Sequence, residues 1–219
     1  RFQQDINPST FNANVIRQAT TSPDGKWLVF NAVGYLWKKE LPAGKPQRIT
    51  NGTDFEFEPS FSADGKTLVY TNWNDTSSGN IYKVDMQGVA KPVKLSKTKG
   101  IFRMPSFSPD GKWIVFRKQD DDGVLGPAFT AKPGIYTITA DGNNENLVTE
   151  RGDMPRFNST GDRIYYQLGG GMNRTYASCK LDGEDERIHL KSMYGSQFTV
   201  SPDEKWIAFI DLWEVYVAA

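Results

Sequence analysis

Several stretches of this 219-residue chain hold side chains that could do chemistry. "SFSPDGKWIVF", residues 106–116, sets Asp110, Lys112 and Trp113 close together, a carboxylate, an ammonium and a ring that could serve acid–base work or ligand stacking. "RKQDDDGVLG" carries Asp120, Asp121 and Asp122, and hard cations take clustered carboxylates. The full spacing of an EF-hand loop is missing there, so a solvated acidic loop is the alternative. "TNWND" offers Trp73 and Asp75 as a stacking ring and a hydrogen-bonding carboxylate for a glycan or small ligand, against packing between repeats as the plainer role. "GGGMN", 169–173, precedes no helix and so lacks the setting of a phosphate cradle. Cys179 and His189 are the only residues of their types and form no evident local pair. Cys179 therefore reads as a buried or idle thiol rather than a nucleophile. "YGSQF" is not the G-x-S-x-G elbow of a serine hydrolase.

The elements that must position these residues appear once the chain is compared with itself. "SFSPDGKWIVF" is one of five copies, with "TTSPDGKWLVF" at 20–30, "SFSADGKTLVY" at 60–70, "RFNSTGDRIYY" at 156–166 and "TVSPDEKWIAF" at 199–209. A second motif follows each: "YLWKKELPAG", "NIYKVDMQG", "GIYTITADG", "YASCKLDGE" and "EVYVAA". Short runs such as "PQRIT", "PVKLS" and "NLVTE" then close the unit. Alternating strands separated by Gly-containing turns, repeating about every 40 to 50 residues, predict four-stranded antiparallel blades. The fold class is all-β, a β-propeller with about four and a half blades, at roughly 15–50, 56–97, 101–149, 153–190 and 196–219. Residues 1–14 read as a closing strand or linker.

The S-P-D-G turn has a mechanical basis. Pro fixes φ for a type I turn, Asp bonds to nearby backbone, and Gly25, Gly65, Gly111 and Gly161 supply positive φ. Glu204 replaces Gly in the fifth copy and predicts a strained or altered turn there. Strand b, with Trp27, Trp113 and Trp206 at its start and Phe30, Tyr70, Phe116, Tyr166 and Phe209 further on, predicts packed sheet core on both faces.

Length variation lies in the loops between the second and third strands, and function collects on variable loops of a rigid scaffold. Strand a lies nearest the propeller axis. Its start reads Arg17-Gln18, Phe57-Glu58, Arg103-Met104, Asp153-Met154 and Ser196-Gln197 in the five copies. Arg17, Glu58, Arg103, Asp153 and Gln197 are accordingly candidates for ligand or partner contacts at the channel mouth, with ion pairs between blades as their structural alternative.

Composition narrows the partners. The 26 basic and 26 acidic residues cancel, and without a basic stripe a nucleic-acid partner is not expected. No run of about 18 apolar residues is present to span a membrane. The fifth unit stops before a fourth strand, so the chain reads as a fragment whose parent carries further blades.

"SPDGKWIVF" followed by "IYTITADG" resembles the TolB-like, WD-repeat-like propeller repeat. Its succession with "GYLWKKELPAGKPQRIT", "EFEPSFSADGKTLVYTNWND" and "CKLDGEDERIHL" is most similar to the propeller that precedes bacterial amidohydrolase barrels. The resemblance implies a non-catalytic propeller of an exported, periplasmic or secreted bacterial hydrolase, packing on and gating its catalytic domain. It implies no cofactor in this chain and zinc or a similar divalent metal in the catalytic domain. The partner would be the protein's own catalytic domain or another protein. The alternatives are a TolB-like protein–protein interaction propeller and the propeller of a prolyl-oligopeptidase-type serine peptidase. No catalytic residue carries over, because the family's H-x-H metal set has no counterpart here.

Overall fold

A computed structural model of the chain describes residues 12–87, 91–119 and 132–219. The repeats fold as four four-stranded sheets and one three-stranded sheet, each a meander in chain order. The first holds β1 (Arg17–Thr21), β2 (Trp27–Ala32), β3 (Tyr35–Glu40) and β4 (Gln47–Arg48). The second holds β5 (Phe55–Phe61), β6 (Thr67–Asn74), β7 (Ser78–Asp85) and β8 (Val93–Lys94). The third holds β9 (Ile101–Phe107), β10 (Trp113–Gln119), β11 (Gly134–Thr139) and β12 (Asn146–Thr149). The fourth holds β13 (Asp153–Phe157), β14 (Arg163–Leu168), β15 (Arg174–Lys180) and β16 (Arg187–Ser192). The fifth holds β17 (Ser196–Val200), β18 (Ile207–Asp211) and β19 (Glu214–Ala218). All pairings are antiparallel. The architecture is an all-β propeller of antiparallel blades.

Each turn between the first two strands of a blade closes as its sequence dictates. Ser108 N–H bonds the Trp113 carbonyl at 2.8 Å, and Gly111 N–H bonds Ser108 O at 2.9 Å. Ser108 Oγ donates to Asp110 Oδ1 at 2.6 Å and accepts from Trp113 N–H at 2.9 Å. Ser22, Ser62 and Ser201 repeat that pattern with Asp24, Asp64 and Asp203. Gly111 sits at φ +71°. Glu204, in the Gly position, holds φ +58°. Its carboxylate receives Ser159 N–H at 3.0 Å, Ser159 Oγ–H at 2.6 Å and Tyr165 O–H at 3.3 Å, tying the fifth turn to the fourth blade.

The core is divided among the spaces between blades. Val29, Leu36 and Ile49 meet Leu68, Tyr70 and Val84. Val69, Ile81 and Leu95 meet Phe102, Ile114 and Phe116. Val115, Ile135 and Val148 meet Ile164, Tyr166 and Cys179. Tyr165 and Tyr176 meet Phe198, with Ile207 and Phe209 packed alongside. Successive side chains of a strand point to opposite faces. Val69 thus serves the third blade and Tyr70 the first, which is why the second strand of a blade is apolar on both sides.

Two sequence expectations about that strand need correction. Its far end is polar and buried in four blades: Asn31, Asn72, Lys118 and Gln167 are all under a tenth exposed. Lys118 pairs with Glu145 and lies 4.1 Å from the Tyr136 ring centroid, so the ammonium is satisfied inside. Trp206, expected in the core, is 50% exposed, because the outer face of the fifth sheet has no covering sheet among the described residues.

Candidate functional site at the mouth of the central channel

The first strands of the blades, β1, β5, β9, β13 and β17, surround a cavity of about 670 Å³. In each of them the pairing register slips by one irregular step. The residue at the slip is left-handed in every case: Gln18 (φ 51°), Glu58 (φ 51°), Met104 (φ 51°), Met154 (φ 54°) and Gln197 (φ 52°). A β-bulge leaves one residue out of the ladder and bends the strand. A non-Gly residue with positive φ costs on the order of 1 kcal/mol or more, and such residues persist only where their surroundings hold them.

What holds them is a relay from blade to blade. Gln18 Oε1 accepts the N–H of Glu58 at 2.9 Å. Glu58 Oε2 accepts the N–H of Met104 at 2.6 Å. Gln18 and Glu58 therefore each cap the amide of the left-handed residue in the next blade. Met104 has no such acceptor, and the Met154 N–H turns to Asp153 Oδ1 of its own strand at 2.8 Å. Met154 in turn offers nothing to Gln197, whose N–H has no side-chain acceptor among the described residues.

Charge is threaded through the same ring. Glu58, its side chain 8% exposed, takes Arg103 Nε at 2.7 Å and Nη2 at 2.6 Å. Arg103 Nη1 donates to Gln119 Oε1 at 2.9 Å. The Glu58 hydrogen bond holds the Arg103 guanidinium above its ordinary value, and the Glu58 and Asp153 charges add to that against a smaller desolvation cost. Two residues further along each strand lies a second ring: Thr20, Ser60, Ser106, Arg156 and Thr199. Four carry hydroxyls and the fourth blade carries a guanidinium.

The structure brings Glu58, Arg103 and Gln197 together on the cavity wall. Asp153 stands beside them through its bond to Met154. Arg17 is exposed one residue before the bulge and Gln18 lines the cavity in its place. Gln18, Met104, Met154 and Arg156 are the residues that sequence reasoning passed over. For Gln18, Met104 and Met154 a signal was available, since they hold the second place of the strand-a pairs, the place that Glu58 and Gln197 hold in the other two blades. Trp73 lies within β6, half-buried, with its indole N–H donating to Asp75 Oδ1 at 2.8 Å. Trp73 and Asp75 are not part of the cavity wall. Asp120, Asp121 and Asp122 fall outside the described residues.

The other reactive types have structural settings. Cys179 is fully buried between the third and fourth blades, and burial pushes its thiol up. Ser178 Oγ lies 2.8 Å from His189 Nε2 and receives Arg163 Nε–H at 3.1 Å, in a position with no exposure at all. Among the described residues no group of three or more His, Cys, Asp or Glu side chains is arranged to hold a metal ion, and no helix is long and apolar enough to cross a membrane.

Comparison with known proteins agrees with this geometry. A family model described as the TolB beta propeller domain matches residues 31–213. Among solved structures, TolB from Acinetobacter baumannii superposes with a TM-score of 0.65 at 20% identity, over 89% of this chain and 48% of that one. An oligogalacturonate lyase from Vibrio parahaemolyticus gives a TM-score of 0.66 at 14% identity, over 91% and 61%. A nidogen/laminin complex gives 0.67 at 16% identity, over 91% and 73%. The chain thus spans about half of the TolB structure and about three-fifths of the lyase. These likenesses establish the fold. No curated protein matches the sequence.

Proposed function

We propose, on the premise that this chain belongs to the TolB β-propeller family, that it is the non-catalytic propeller of an exported bacterial hydrolase of amidohydrolase type. It packs on the catalytic domain through its channel mouth and gates access to the site there. A divalent metal, zinc or similar, would belong to that catalytic domain. The observation that carries the reading is the ring of five left-handed residues at the mouth. Strain of this kind, repeated at one end of a scaffold, is what contact and switching surfaces hold.

The same reading takes the five sheets as part of a larger ring, about four and a half blades of it. Val215 on the outer face of the fifth sheet is 73% exposed, whereas its counterparts Leu36, Ile81, Ile135 and Tyr176 in the preceding sheets are buried.

A second reading, a TolB-like propeller for protein–protein interaction, is favoured by Leu212 and Trp213. They form the tip of the β18–β19 turn, and Trp213 is 96% exposed. Exposed Trp is a frequent anchor of protein contacts.

The test is amide hydrogen exchange on the complete gene product and on this chain alone. Slower exchange at Gln18 and Gln197 in the complete protein supports docking at the mouth. Equal rates there, with protection at Leu212 and Trp213 only on addition of a separate protein, overturn the first reading in favour of the second. The isolated chain is predicted to hydrolyse neither amide nor ester substrates, with or without added zinc. Metal-dependent turnover by the purified chain would refute the non-catalytic assignment.

A further inference from the structure

We propose that the sector of the channel between the fourth and fifth blades is a carboxylate-binding site built from Arg156, the backbone N–H of Gln197 and the neighbouring hydroxyls. Two independent features meet there, and a third stands on the same cavity wall at the third blade. Arg156 lines the cavity with no acidic partner within ion-pair distance among the described residues, whereas Arg103, the other guanidinium on the cavity wall, is held by Glu58. The Gln197 N–H lacks the acceptor that Gln18 gives Glu58 and Glu58 gives Met104. Met154 occupies the position from which that acceptor would come. Ser106, also on the cavity wall and only 8% exposed, has a hydroxyl with no hydrogen-bond partner.

A buried polar atom left unpaired calls for a partner that the protein itself does not supply. The missing partner has defined chemistry. In the second and third blades the relay is completed by the carbonyl oxygen of Gln18 and the carboxylate of Glu58. The vacant step therefore has the shape of a carboxylate, set before a guanidinium that binds such groups in a forked geometry. Thr199, which lines the cavity together with Arg156 and Gln197, adds a hydroxyl donor. Arg156 and Thr199 also line the adjoining cleft between the fourth and fifth blades, about 320 Å³ in volume, which gives the remainder of a ligand room. The ligand is either a small free acid or the carboxylate of a polypeptide. The site depends on this chain alone, so it stands or falls separately from domain docking at the mouth.

The experiment is a titration of the ¹⁵N-labelled chain followed by its amide spectrum. Sodium acetate is added against sodium chloride of equal ionic strength. In parallel, a short peptide with a free C-terminal carboxylate is compared with its C-terminal amide. The Gln197 amide signal is expected to move saturably with acetate or the free-acid peptide and not with chloride. Response to acetate identifies a site open to free acids, and response to the acid peptide alone identifies a polypeptide source. Arg156→Gln is expected to weaken binding about tenfold or more, since a charge-assisted pair is lost. Met154→Glu places the relay's own carboxylate beside Gln197 while leaving Arg156 in place. It is expected to weaken acetate binding several-fold and to move the Gln197 signal towards its acetate-bound position. No movement of the Gln197 signal, equal movement by the amidated peptide, or unchanged affinity in both folded variants would overturn the site.

Discussion

At the scale of single residues, hydrogen-bonding geometry decides stability more than residue class does. Ser108 is buried and its hydroxyl joins Asp110 to the Trp113 amide. Ser108→Ala removes both bonds and leaves that amide without its side-chain partner. The expected loss is about 1–2 kcal/mol, read as a lowered midpoint in urea with an unchanged slope. The turn carboxylates also contribute to the response of the fold to acid. The serine hydroxyls hold Asp24, Asp64, Asp110 and Asp203 below the ordinary value, and Thr139 with Asn143 lowers Asp141 to about 2. A depressed carboxyl contributes stability that is present above its unfolded value near 3.9 and lost as pH falls through the folded value. His189 works in the same direction at higher pH. Desolvation, then the charges of Arg163 and Arg187, lower its value, so the fold prefers it neutral. Stability should therefore fall as pH drops below about 6.5, where the unfolded chain takes up the proton. Urea midpoints measured between pH 8 and pH 5 on the chain and on His189→Gln check this, and a slope that persists in the variant would assign it elsewhere.

At the scale of elements, each second strand serves two interfaces at once. Phe116 is fully buried, 5.6 Å from the Phe102 ring centroid and stacked at 5.9 Å on Tyr136. Phe116→Ala is expected to cost about 3–5 kcal/mol, measured by denaturant unfolding. The neighbouring Val115→Ala is expected to loosen the opposite interface, seen as faster amide exchange in β14 rather than in β6. These strands were legible in the sequence because "KWIVF" and "DRIYY" show their apolar runs openly and the Asp-Gly turns mark their starts. The polar ends were not legible. Asn72 and Lys118 look solvent-directed by type, and only partners from just before β5 and β12, Asp54 for the one and Glu145 for the other, make their burial tolerable. The mouth was legible in part for the same reason. Polar residues at the start of strand a announced a ring, so Glu58 and Arg103 could be picked out by charge. The left-handed backbone could not, because Gln, Glu and Met carry no sign of positive φ, and Gly or Asn, which would have shown it, is absent at all five places.

At the scale of the whole molecule, the blades contact their neighbours through four separate clusters rather than one common core. Stability in such an array is a sum of unit and nearest-neighbour terms. The fifth sheet, with one cluster to the fourth blade and an exposed outer face, is expected to open first. Hydrogen exchange should show β17, β18 and β19 as the least protected group, and protection equal to that of β10 and β11 would contradict it. The relay at the mouth has a further consequence, because it runs one way round. The amide that a blade presents is its own, but the acceptor that quiets it comes from the blade before. A substitution at one bulge thus changes the chemistry available at the next, and the identity of each position in the ring is written one unit upstream of where it is read. If whole units were duplicated or exchanged during descent, every junction would have acquired a new pairing of writer and reader without any change inside either blade. The two methionines mark where that message falls silent.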